Sequence, residues 1–345
     1  MADRPLSIGV VANPASGRDL RRVLGWASVF PNAEKVNVVL RLLGALGALG
    51  VDEAWMLPDS AGIGARVRDA AALARAQRGQ PMPEVRLLDL RLRDRAEDSA
   101  DAAAAMVARG VRAIAVLGGD GTHRAVASRC GAVPLATLST GTNNAFPEWR
   151  EATLVGLATA LVATGRVPAE VGTRRHKRLR VTGDGIDEIA LVDVALTRQP
   201  GTGAGAVSDG DDVSDLWVAF AEPGTLGLAA LAGLSHPVSR DDPWGLHLRL
   251  GGGRTLLAPL LPGVVQAVAV AAAQRLWPGV PQVVDVAAGT LAIDGEREIE
   301  LDARRPLHVA LELGGPRTIA VDATLAHAAR EGLLFSPPGP LQAAR

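Results

Sequence analysis

The 345-residue chain predicts an α/β unit with a mainly parallel, three-layer sheet, followed by a β-rich, sandwich-like unit. Three observations carry this. Up to residue 165, short apolar runs alternate with helical patterns, the mark of βαβ units. Beyond it, short apolar runs follow one another closely with turn residues between them, as in antiparallel β-structure. Three of the early strands end in glycine-bearing turns, where open α/β sheets hold ligands.

The elements follow in order. LSIGVVANP (6–14) is a strand ending at Asn-Pro, and helical patterns cover 18–26 and 34–49. DEAWMLP is a second strand and 61–78 an Ala/Arg helix. EVRLLDL is a third strand; DSADAAAAMVARG is a helix with Asp98 or Ser99 near its N-cap and Gly110 just past its end. RAIAVLGG and VPLATLST are the fourth and fifth strands, and 151–165 is a helix closing on Gly165. In the second half, RHKRLRVTG and DEIALVDVALTR flank GDGID as a hairpin. Short strands follow: DLWVAFAE, GLHLRL, RTLLAPL, GTLAIDG, REIELD, PLHVALEL and RTIAVD. Residues 198–215, rich in Gly, Ser and Asp, read as a surface loop or a lid. The units are expected at 1–166 and 167–321, with a terminal helix in 322–345 free to return to the first.

Composition narrows the function. Hydrophobic residues make up 48%, enough for substantial cores. Lys plus Arg is 36 and Asp plus Glu is 37, so there is no basic excess of the kind a general nucleic-acid binder carries. Small anionic substrates remain open, because they need only local positive charge. Cys130 is the single cysteine, so no intrachain disulfide forms and a reducing compartment fits. The apolar run after Asp3 and Arg4 is too short and wrongly flanked for a signal peptide. The longest apolar region, 256–273, contains two prolines, a glycine and a glutamine, which argues against a membrane span. The expectation is a cytoplasmic, soluble protein with neither nucleic-acid nor membrane partner.

The three turns are NPASG (13–17), GGDGT (118–122) and STGTNN (139–144). Glycine there lets the backbone approach a ligand with no Cβ in the way. Successive N–H groups form a nest for phosphate oxygens, helped by the positive end of a following helix. The candidate phosphate-binding residues are Asn13, Ser16 and Gly17; Gly118, Gly119, Gly121 and Thr122; and Thr140, Gly141, Thr142, Asn143 and Asn144. Neither G-x-x-x-x-G-K-[ST] nor G-x-G-x-x-G occurs, so the common nucleotide-binding folds are not supported. Asp120 sits among these glycines. A carboxylate beside a phosphate nest is awkward unless it accepts a proton from an attacking hydroxyl or holds Mg²⁺.

GGDGT together with the NPxSG turn resembles the superfamily that unites NAD kinases with diacylglycerol and sphingosine kinases. Within it, GGDGTHRAV followed by STGTNNAFPEWREATLVGLATALVATG is similar to the ATP-NAD kinase-like AcoX family, associated with acetoin catabolism. FAEPGTLGLAALAG (220–233) and LAIDGEREIEL (291–301) extend the likeness over most of the chain. The resemblance implies a two-domain kinase using ATP and a divalent metal, Mg²⁺, with the site in the cleft. Asp120 would activate the adenosine 2′-hydroxyl of NAD or NADH. The alternatives are a kinase of another small alcohol or lipid, or a non-catalytic nucleotide-binding protein linked to acetoin catabolism. A homo-oligomer is also implied. Two stretches depart from NAD kinases. In ALVDVALTR, Asp193 keeps the acid of their Asn-acid pair but Val192 replaces the asparagine; AEPGTLGLAALAG keeps Pro223 and Gly224 but loses most hydroxyls. Asp193, Pro223, Gly224 and His123 are the weaker candidates for substrate contact.

Other features read more plainly. The basic run RRHKR (174–178) is a solvated strand edge or a source of cations for a triphosphate. Asp294-Gly295 is a hairpin turn that could also reach a site.

Overall fold

The computed structural model describes residues 5–16, 24–141, 144–183, 185–198, 207, 209–284, 288–301 and 306–335. The first unit runs β1 (Ser7–Ala12), α1 (Asn32–Ala48), β2 (Glu53–Met56), α2 (Ile63–Arg78), β3 (Glu84–Leu87), α3 (Ala96–Arg109), β4 (Ile114–Gly118), α4 (Asp120–Ala127), β5 (Leu135–Ser139), α5 (Ala152–Ala163). Then follow α6 (Ala169–Gly172), β6 (Thr173–Arg175), β7 (Arg178–Gly183), β8 (Ile186–Ala190), β9 (Asp193–Thr197) and β10 (Val213–Val218). The chain continues through α7 (Ala229–Ser235), β11 (Gly245–Leu261), β12 (Val264–Leu276), β13 (Gln282–Val284), β14 (Thr290–Ile293), β15 (Glu296–Glu300), β16 (Leu307–Glu312), β17 (Arg317–Ile319) and α8 (Val321–Arg330).

The first sheet has the order β3-β2-β1-β4-β5-β17-β6. Strands β1 to β5 are parallel, which requires helical crossovers and cover on both faces. Every residue of β1 is therefore buried. Its side chains alternate: Ile8 and Val10 join the core beneath α1, α2 and α5, while Val11 joins the core beneath α3 and α4. In α1, Val36, Val39, Leu42, Leu43 and Leu46 are buried at helical spacing, giving one apolar face. Helix α5 crosses it closely because Gly156 has no side chain; a Cβ there would lie 2.7 Å from the Leu42 carbonyl oxygen. From β1 the chain winds outward through β2 and β3, then returns to β4 on the other side of β1. That reversal opens a crevice at the carboxyl ends of β1 and β4.

The second unit is antiparallel, with a six-stranded sheet β12-β11-β10-β9-β14-β15 and a four-stranded sheet β13-β16-β7-β8. Leu179, Leu191, Trp217 and Leu291 share a continuous core with Val116, Met106 and Val126 of the first unit. Among the described residues, no helix is long and apolar enough to cross a membrane.

Several local expectations are corrected. The stretch 187–198 is two strands, β8 and β9, in different sheets, broken at Leu191-Val192 where the N–H groups leave the ladder for Asp294. GLHLRL and RTLLAPL are one strand, β11, with register shifts at Leu250–Arg254, and the apolar run after it is its hairpin partner β12. RTIAVD pairs with β5 of the first sheet through Thr318 rather than with its neighbours in sequence. Strand β10 already begins at Val213, inside the expected loop. Residues 18–23 and 336–345 of the expected helices lie outside the described residues.

Candidate functional site

The turns after β1, β4 and β5 meet. Asn13 Nδ2 donates to Thr122 Oγ1 at 2.9 Å, tying the first turn to the second. Ser16 Oγ lies 2.9 Å from Thr140 Oγ1, tying the first to the third. Thr140 N–H donates to the Gly118 carbonyl, tying the third to the second. Together they border a cavity of about 460 Å³. Asn13, Ser16, Gly119, Asp120, Gly121, Thr122, Gly141 and Asn144 line it.

The glycines are needed where the turns touch. A Cβ on Gly118 would fall 2.4 Å from Thr122 Cβ, and one on Gly119 would fall 2.8 Å from Asn144 Oδ1. Gly118 and Thr140 thus stand behind the wall, holding the turns together. Gly17, Thr142 and Asn143 lie outside the described residues.

Asp120 opens α4 directly after its N-cap, Gly119, where negative charge suits the helix dipole. Its carboxylate accepts N–H bonds from Ala145 at 3.0 Å and Phe146 at 2.8 Å. The loop after β5 thereby fixes the side chain at the cavity.

The weaker candidates are not brought to the cavity. His123 is fully buried; its Nδ1 is 2.9 Å from the Gly119 carbonyl oxygen and its ring lies 6.0 Å from that of Phe146. Burial lowers its pKa to about 4, so the ring is a neutral core group rather than a substrate contact. Asp193 is buried on β9 between β10 and β14. Pro223 and Gly224 sit on an exposed turn.

Three more residues complete the site: Asp294, whose turn the sequence offered as one that could reach a site, and Glu296 and Lys35, which it did not single out. Asp294 and Gly295 form the tight β14–β15 turn, with φ of 49° and 81°, as an Asp-Gly pair favours. Asp294 itself points inward, although Gly295 is only half-buried and Glu296 is exposed. The Asp294 side chain is fully buried and accepts N–H bonds from Leu191 at 3.1 Å, Val192 at 2.8 Å and Asp193 at 3.3 Å. Burial pushes its carboxyl up to about 6; Arg124, with Nε 3.6 Å from Oδ2, opposes this and the nearby Asp120 adds to it. Glu296, two residues on, also lines the cavity, its carboxylate 3.4 Å from where a Cβ on Gly121 would be. The third is Lys35, fully buried on α1, whose Nζ donates to the carbonyls of Asn13, Pro14 and Ser16 at 2.8, 3.2 and 2.9 Å. An ammonium satisfies three converging carbonyls; a planar guanidinium does not. The chain has two lysines, Lys35 and Lys177, among its 36 cationic residues, and that rarity was the available signal. Lys177 behaves alike, donating to the Ser239 and Trp244 carbonyls, and burial lowers its pKa to about 8.

The basic run is not at the cavity; Arg174 and Arg175 lie on the edge strand β6, where Arg175 is exposed, while His176 and Lys177 are buried. Arg174 pairs with Asp241 and Arg178 with Glu312, each at 2.6 Å, and His176 is buried against Phe146 and Thr318.

The cavity continues across the ends of β2 and β3, along Leu57–Ala61, Leu92 and Asp94–Ala96. Asp59 there accepts the N–H groups of Ile63 and Gly64. Carboxylates outnumber guanidiniums on the lining: Asp59, Asp94, Asp98, Asp120, Asp294 and Glu296 against Arg95 and Arg124. A polyphosphate settling here would need a divalent cation with it. Among the described residues, no group of three His, Cys, Asp or Glu is placed to hold a metal alone. Hard oxygen donors do face the cavity, which suits Mg²⁺ shared between one or two carboxylates and phosphate oxygens.

Residues 8–167 match the ATP-NAD kinase N-terminal domain, and residues 177–313 match the acetoin catabolism protein X C-terminal domain. The chain is 44% identical over 343 residues to acetoin catabolism protein X of Cupriavidus necator, covering 96% of this chain and 95% of that protein. With a kinase-type α/β unit carrying the converging turns, a matching β-rich unit behind it, and a likeness running nearly end to end, the chain belongs to the acetoin catabolism protein X family.

Proposed function

We propose that the protein is an ATP-dependent kinase of a hydroxyl-bearing small molecule. The carrying observation is the cavity where three strand-end turns meet Asp120. In this reading the triphosphate lies against the backbone of the turns at Asn13, Gly119 and Gly141, and the nucleoside extends toward Leu57–Ala61. Mg²⁺, carried with the nucleotide and facing Asp120 or Glu296, would neutralise phosphate charge. Asp120 accepts the proton as the acceptor oxygen bonds to the γ-phosphorus and the bond to the leaving ADP oxygen breaks. The Ala145 and Phe146 amides keep its carboxylate fixed before the substrate arrives, which spares reorganisation during the reaction. Lys35 holds the first turn by its carbonyls.

NAD or NADH is the first acceptor to test, with NADP or NADPH as product, because the first half of the chain matches the ATP-NAD kinase domain. A specific observation favours a second acceptor class. Asp193, Pro223 and Gly224, the stretches that would contact a dinucleotide, stand off the cavity. A smaller alcohol therefore belongs in the same assay. Purified protein with ATP, Mg²⁺ and a panel containing NAD, NADH and small alcohols should release ADP with one acceptor. Asp120→Asn should lower that rate by about 10² to 10⁴-fold, the scale of losing a general base. Undiminished turnover in the variant would take Asp120 out of the chemistry. Nucleotide binding with no product from any acceptor would leave a binding protein.

A further inference from the structure

FAEPG and the segment after it, residues 238–244, lie away from the cavity, yet they reach the site through one side chain. Arg240 is buried, with its guanidinium 4.1 Å from the ring centre of Phe220 and 5.8 Å from that of Phe146. Its Nη2 donates to the Ala145 carbonyl, and its Nη1 donates to the Phe146 carbonyl at 3.2 Å. Glu222, of the AEPG turn, sits 3.4 Å from Nε and balances the charge. The segment carrying Arg240 is itself pinned, by Lys177 on the Ser239 and Trp244 carbonyls and by Arg174 on Asp241.

The Ala145 carbonyl and the Phe146 N–H belong to one peptide unit. That unit accepts from Arg240 at its oxygen and donates to Asp120 Oδ1, at 2.8 Å, from its nitrogen. A cation at one end and a carboxylate at the other polarise the peptide in the same sense, so each hydrogen bond strengthens its neighbour. The Phe146 carbonyl, also taken by Arg240, precedes Pro147, whose nitrogen has no hydrogen to donate. The grip therefore reaches Asp120 through the peptide between Ala145 and Phe146.

We propose that Arg240, supplied by the β-rich unit, is a positioning residue: through the Ala145–Phe146 peptide it holds the Asp120 carboxylate at the cavity, with Glu222 as its counter-ion. This rests on the reading of Asp120 as the reacting carboxylate. The AEPG stretch then serves the site from behind, through Glu222 and Phe220, without touching the substrate.

The test uses the full chain with Arg240→Met, Arg240→Lys, Asp120→Asn and the double variant Arg240→Met with Asp120→Asn. Amide hydrogen exchange across 144–148 reads the chain of bonds without any need for turnover. Arg240→Met should speed exchange at Phe146 by about tenfold, the equivalent of one lost hydrogen bond; Asp120→Asn, whose amide oxygen still accepts but carries no charge, should speed it by less. The double variant should add little to Arg240→Met, since the two act on one peptide. With the acceptor that supports turnover, Arg240→Met should lower kcat by about 10²-fold while KM for ATP stays within about twofold, the pattern of a displaced reacting group. Arg240→Lys should restore part of kcat. Unchanged exchange in Arg240→Met, or fully additive effects in the double variant, overturns the proposal. So does an unchanged kcat in Arg240→Met when Asp120→Asn abolishes turnover. If Asp120→Asn leaves turnover intact, the reading of Asp120 fails instead, and the exchange cycle still decides whether Arg240 holds that peptide. Should Arg240→Met fail to fold, Arg240→Lys carries the same exchange and kcat comparisons.

Discussion

Replacing Arg124 with methionine should destabilise the protein by an amount that depends strongly on pH. Arg124 Nε lies 3.6 Å from Asp294 Oδ2; the Asp294 side chain is fully buried and that of Arg124 is 10% exposed. With an effective dielectric constant of about 20, Coulomb's law gives roughly 4.6 kcal/mol at that distance. Mutational losses on breaking a buried pair run at about 3–5 kcal/mol, because the remaining charge is stranded. Glu188, 3.8 Å from Arg124, is half exposed and contributes little. The sign of the pH dependence follows from Asp294, whose carboxyl is raised from 3.8 to about 6. Between these values the folded chain keeps a proton that the unfolded chain releases. Its contribution is fully present below 3.8 and is lost as pH rises through about 6. Near pH 5 Arg124 faces a largely neutral acid, so its removal should cost only about 1 kcal/mol, the scale of one hydrogen bond. Near pH 8 it faces a carboxylate, and the cost should reach about 3–5 kcal/mol. Urea unfolding of the native chain, Arg124→Met, Asp294→Asn and the double variant, followed by circular dichroism at both pH values, measures this. Equal losses at the two pH values, or additive effects in the double variant, would refute the reasoning.

Two further outcomes follow from the geometry. Gly118→Ala puts a methyl 2.4 Å from Thr122 Cβ, so the first turn of α4, with Asp120 on it, must shift. It should cost about 1–3 kcal/mol, the range for overpacking, and lower turnover; a variant with native melting temperature and native rate would show that the turn gives way freely. His123 and His176 are buried neutral, with pKa lowered from 6.5 to about 4 and about 3. Because the unfolded chain takes up protons that the folded chain refuses, their stabilisation is present above 6.5 and is lost as pH falls toward these values. Asp294 acts in the opposite sense below about 6, but it is one group against two. The melting temperature should therefore drop between pH 6.5 and pH 4, and His176→Asn should flatten the drop. A wild-type melting temperature that stays level over that window would exclude the two imidazoles as its source.

What the sequence by itself determined is local. The alternation of Ile8, Val10 and Val11, the helical spacing in α1 and the Asp-Gly turn at 294–295 depend on periods and dihedral preferences that neighbouring residues set. The turns after β1, β4 and β5 were legible for the same reason, since parallel strands put such turns at one edge of the sheet. Tertiary structure alone decided the rest. An Asp-Gly hairpin reads the same whether its carboxylate is solvated or buried over Leu191–Asp193, so the sequence could raise a site role for Asp294 but not decide it, and the place of Glu296 at the cavity, more than 170 residues from Asp120, was invisible. His123, next to the motif in sequence, faces inward because helical geometry turned its ring onto Phe146. RTIAVD joined the first sheet, and Arg240 reached the peptide that holds Asp120, only through the packing of the two units. Short-range preferences choose elements; which distant side chains meet is settled by how their buried faces fit, and no local pattern encodes that fit.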